Sequence, residues 1–128
     1  MSHDDRRNEL VALRDALLTL HRETIAAAFA ELERERGVSL PGGATARFQQ
    51  LTRDPAFGWL QPFTALVAAF DERLDDPTPL PPDEAAEARA RVAELLHVEH
   101  AVGARLVALV QSAPEVAMAY GPVRVLLR

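Results

Sequence analysis

Histidines and carboxylates at helical spacing are the side chains of this chain that could do chemistry. Glu94 and His97 stand as Glu-x-x-His, which puts both groups on one helix face. Ferritin-like di-iron bundles use two such pairs plus a glutamate from each of two further helices. This chain has one pair. His97-Val98-Glu99-His100 has the residue types of a zincin, but that chemistry needs histidines four apart with the glutamate between them as base. His21-Arg22-Glu23 has the His-x-Glu of zinc deaminases, whose partner motif requires cysteine, and the chain has none.

Position says more than motif. Glu99 falls on the apolar stripe of a long helix, between Leu95/Leu96 and Val102, and His21 flanks the stripe of the first helix. If those two helices run parallel, His21 and Glu99 lie at a similar depth. A buried carboxylate needs a partner. The plain expectation is therefore a structural His–Glu or Arg–Glu bond in the core. The alternative is a metal or small-ligand site made by His21 and Glu99, with His97 or Asp71 as the further ligand. His3 and His100 are expected at the surface. Trp59 is expected as a core anchor, with Trp59 and Phe63 the alternative choice for an interface hot spot. Asp71-Glu72 reads as a solvated helix end paired with arginine, and Met118, Tyr120 and Phe48 read as packing residues.

What is missing excludes more. Without cysteine there is no thiol nucleophile, disulfide or thiolate zinc site. All 14 basic residues are arginine, so Schiff-base chemistry and a Walker-type phosphate loop are out. No serine sits in Gly-x-Ser-x-Gly, and no Gly-x-Gly-x-x-Gly occurs. The net charge of −5 argues against coating nucleic acid. Met1–Arg7 is polar, without a signal peptide's apolar run. The longest apolar stretches are far too short to span a bilayer. A cytoplasmic protein is the expectation.

The elements that must position these residues are all helical. Leu10, Leu13, Leu17, Leu20, Ala27/Ala28 and Leu32 recur at three-and-four spacing, predicting a helix over 4–36 that starts at Asp4-Asp5 and stops at Gly37. Pro41-Gly42-Gly43 marks a loop and 44–53 a short helix. A second long helix is expected over 56–75, striped by Trp59, Leu60, Phe63, Val67, Phe70 and Leu74. Pro62 predicts a kink in it or a start delayed to Gln61. The proline-rich 76–82 is a stiff linker. Asp83 should cap a helix over 83–112 with the stripe Ala88, Val92, Leu95/Leu96, Val102, Leu106 and Leu109/Val110. A last helix starts at Pro114, with Gly121-Pro122 bending or interrupting it. No segment shows the period-two alternation of a strand. The fold expected is all-α: one domain over 1–128, an irregular antiparallel (up-down) four-helix bundle with a kinked second helix and a short last one.

Asp54-Pro55-Ala56-Phe57-Gly58-Trp59-Leu60-Gln61-Pro62, followed by Asp71-Glu72, resembles the Asp-Pro-x-Phe-x-Trp-Leu-x-Pro signature of a group of small, uncharacterised bacterial all-helical proteins. Leu20-His21-Arg22-Glu23 and Ser112-Ala113-Pro114-Glu115-Val116 extend the similarity over most of the chain. The resemblance implies a helical fold and no activity.

Two functional readings emerge. The first is a non-enzymatic protein that works by protein–protein association, as a homodimer, because no catalytic set is complete and the short last helix leaves apolar surface open. The second is a ligand-binding bundle centred on His21, Glu99 and His97. Neither reading names a cofactor. Membrane contact is not expected, and nucleic acid is the weakest choice of partner.

Overall fold

The computed structural model describes residues 3–40 and 42–128. Their order is α1 (His3–Arg36), α2 (Ala44–Arg53), a 3-10 segment (Pro55–Leu60), α3 (Gln61–Asp75), α4 (Glu84–Leu96), α5 (Ala101–Ser112) and α6 (Pro114–Leu126). In place of four helices there are six among the described residues. None is long and apolar enough to cross a membrane among the described residues.

α1 is the common partner of the other helices. Its 34 residues span about 50 Å, and α3, α4, α5 and α6 all pack on it. Its Arg7, Arg14 and His21 meet Leu74, Asp71 and Thr64 in turn, so α1 and α3 run antiparallel. The helix ends as expected: Gly37 takes φ +67°, and the Gly37 and Val38 amides both donate to the Glu33 carbonyl.

Two apolar clusters share α1. The larger holds Leu10, Leu13, Leu17 and Leu20 against Phe63, Val67 and Phe70 of α3 and the inward residues of α4, α5 and α6. Leu17 and Leu20 are fully buried, each contributing about 1.5–3 kcal/mol by burial. The smaller joins Ala28, Phe29 and Leu32 to Phe57 and Leu60 of the 3-10 segment. α2 covers it without burying a residue of its own.

Asp54 builds the 3-10 segment. Its carboxylate accepts from the Ala56 amide at 3.0 Å and from the Gln50 side chain at 2.7 Å, and it pairs with Arg36 at 2.7 Å. The signature around it is thus a cap, a φ-locking proline and two buried apolar residues, Phe57 and Leu60. α3 starts at Gln61, so Pro62 lies in its first turn, where a missing amide costs little.

Three expectations are corrected. The helix expected over 83–112 is two, because His97 and His100 both adopt extended backbone. The His97 carbonyl accepts from the His100 amide at 2.9 Å, and the His100 ring caps α5 by accepting from the Val102 amide. Gly103 lets α5 approach this turn; a β-carbon there would overlap the His97 carbonyl group. Asp83 occupies the N-cap position of α4 without a side-chain capping bond, while Glu84 pairs with Arg73. α6 runs unbroken through Pro122. The carbonyl that this proline leaves unbonded belongs to Met118, on the solvent side, where water can serve it.

Candidate functional site

The sequence-predicted polar residues are not brought together. Glu99 lies exposed in the α4–α5 turn, not on the core stripe. His97 is exposed beside it, its Nδ1 accepting from the Glu99 amide at 3.2 Å. His21 faces α3 instead. Its Nε2 is 2.9 Å from the Thr64 hydroxyl, and its ring meets Phe63 edge-on at 4.9 Å between centroids. Burial holds its pKa below the ordinary histidine value. Asp71 pairs with Arg14 at 2.9 Å, the arginine partnership expected of that helix end. No three histidine, aspartate or glutamate side chains gather as a metal site among the described residues. His100 is half-buried rather than exposed, and the His3 side chain lies outside the described residues.

The interface candidates separate as well. Phe63 is fully buried in the larger cluster and has no surface to offer a partner. Trp59 is half-buried against both clusters, with the Arg105 guanidinium 5.0 Å above its ring, which suits an anchor.

One open apolar surface is on α6. Val116, Ala119 and Val123 face the core. Pro114, Met118, Pro122 and Val125, spaced four, four and three, form a second apolar face that is exposed. Met118 is 77 % exposed, against the expectation of ordinary packing. Phe48 on α2 departs in the same way, at 66 %.

Beside this ridge lies a groove. α1 turns small residues toward α6, so the backbones approach but leave space above Ala16, Thr19 and Ala119. The result is a hollow of about 330 Å³ bounded by Met118 and Pro122. A second hollow of about 280 Å³ continues it over Ala26, Ala27 and Ala30. Glu23 and Glu115 line both hollows. The first hollow joins residues 16–23 to 115–122 and the second joins residues 23–34 to 114–116, so α6 runs antiparallel to α1.

This surface carries no acid–base pair aimed at one point, so what it offers chemically is apolar contact and negative charge. The sequence did hold a signal for it: the four-four-three spacing of Pro114, Met118, Pro122 and Val125 is as regular as the core stripe on the other side. Comparison of the chain with family models, with curated proteins and with solved structures gives no match.

Proposed function

We propose that this protein acts by protein–protein association and not by catalysis, and that its contact surface is the outer face of α6 with the adjoining α1 groove. The exposure of Met118 on an otherwise apolar helix face carries this reading. A large apolar side chain held out in water beside an apolar hollow marks an interaction surface. The homodimer is one form of such association, with the same patch used by both subunits.

The test is a photo-crosslinking residue placed at position 118 and, as control, at the exposed Ala86 of α4, both expressed in the native cells. A discrete higher-mass adduct from position 118 and none from position 86 is expected. Twice the chain mass would identify a second copy. No adduct, or equal adducts from both positions, would refute the reading.

A further inference from the structure

We infer that the occupant of the α6 face is a second copy of this chain, docked about a two-fold axis with the two α6 helices antiparallel and Met118 of each copy seated against the hollow of the other. The inference rests on the association reading above and names its partner.

The exposed area points to a covered face. A compact monomer of 14.0 kDa exposes about 6,700 Å². This chain exposes 7471 Å². The excess, about 800 Å², matches what each partner contributes to a stable interface of standard size. The exposed apolar side chains are densest on one helix. Among the described residues, Leu18, Val38, Phe48, Val98 and Val107 fall on separate elements, whereas α6 carries both Met118 and Val125. Pro114 and Pro122 join these two into one ridge.

Shape selects the occupant. A two-fold interface uses the same patch twice, so the patch must offer both a projection and a recess that receives it. The α6 face has both. Met118 projects, and the hollow of about 330 Å³ opens beside it over the small Ala16, Thr19 and Ala119. A β-carbon on Gly121 would meet nothing within 4 Å, so the backbone of α6 is bare there and open to a second helix. Met118 and Gly121 flank the middle of the ridge. An antiparallel pair of α6 helices centred on that middle sets Met118 of each copy opposite Gly121 of the other, a large side chain against none.

Charge does not oppose this pairing. Glu23 is paired with Arg22 at 3.7 Å, and Arg34 lines the second hollow with Glu23 and Glu115. These two carboxylates and two arginines balance, so the patch has no single sign that would keep two copies apart. The same centring offsets the two Glu115 side chains by about nine residues along the helices. That is about 13 Å, beyond the screening length at physiological salt.

Sedimentation velocity of the full chain over a concentration series tests the pairing. A species of twice the chain mass is expected. Met118→Glu should raise its dissociation constant about tenfold or more. Phe48→Glu, at an exposed apolar position on α2, should leave it unchanged. Circular dichroism confirms that each variant is folded. The chain has no cysteine, so a single introduced one reports a single contact. Under mild oxidation Met118→Cys should link two chains and Glu115→Cys should not, because a disulfide needs Cα atoms within about 7 Å. A single chain throughout the series, a dimer untouched by Met118→Glu, equal weakening by Phe48→Glu, or equal linking through position 115 overturns the inference. A monomer whose position 118 still crosslinks to a different protein in cells also overturns it, and leaves the association reading intact. If the chain is monomeric and position 118 gives no crosslink, both fall.

Discussion

The two apolar clusters on α1 are built by different means. The larger is aliphatic except for Phe63 and Phe70, and is closed by four helices that each bring a full apolar stripe. The smaller is built around the Phe29–Phe57 ring contact, with centroids 4.7 Å apart, and is closed by one 3-10 segment and the rim of α2. Between them sits Thr24, fully buried, its hydroxyl without a hydrogen-bond partner. The first cluster holds by area alone. The second has five buried members and is covered by a segment that Asp54 fixes. One helix can therefore carry both a global core and a local one, with different responses to the same kind of damage.

Breaking the larger cluster should have the greatest effect. Phe63→Ala is expected to cost about 3–5 kcal/mol, read as a lower urea midpoint, with exchange protection lost throughout the helices. Gly103→Ala attacks the same cluster through the α4–α5 joint, which sets Leu96 and Val102 in place. It should cost about 1–3 kcal/mol as the turn is pushed off the His97 carbonyl. If thermal melts of this variant match those of the parent, the close approach is not structural. Asp54→Ala tests the smaller cluster. Loss of the cap should cost about 1–2 kcal/mol, with faster hydrogen exchange confined to about residues 40–60. Exchange that rose equally in α3 and α4 would merge the two clusters into one unit.

Thr24→Val probes the boundary. Removing a buried hydroxyl that has no partner should raise stability by about 1 kcal/mol, seen as a higher urea midpoint. The smallest effect separates the clusters by pH. His21 is held neutral by burial beside Phe63, so its contribution is complete above its unfolded-state value of about 6.5 and declines as pH falls below it. The Asp54 pKa is depressed, chiefly by its bond from Arg36, so its contribution persists until pH falls below the ordinary carboxylate value of 3.8. Of these two groups only His21 changes its contribution between pH 7 and 5, so His21→Gln should reduce the slope of stability against pH over that range.

Much of the fold was legible in the sequence, because periodicity reports which face is buried. The stripe residues of α1 from Leu10 to Leu32 and of α3 from Phe63 to Leu74 are those the structure buries. The stripe from Ala88 to Leu109 is buried too, although its helix is broken. The break was invisible because Leu96 and Val102, on either side of it, both face the core. No proline or glycine lies in the turn itself, and the only mark is Gly103, whose need for space is a property of the folded neighbour. For the same reason Glu99 read as a core residue: its place on the stripe assumed a continuous helix.

The α6 face shows the other side of this division. Its apolar spacing was written in the sequence, but burial of Val116, Ala119 and Val123 rather than Met118 was decided by packing on α1. The sequence by itself determined which residues could form helices, where α1 and the 3-10 segment begin or end, and which chemistries are excluded, because caps, prolines and residue types act locally. Only the tertiary structure decided that His21 meets Thr64 and not Glu99, that Phe63 is sealed inside, and that Glu23 and Glu115 share one groove. Those facts depend on how helices distant in the chain are placed side by side, and no local spacing contains that.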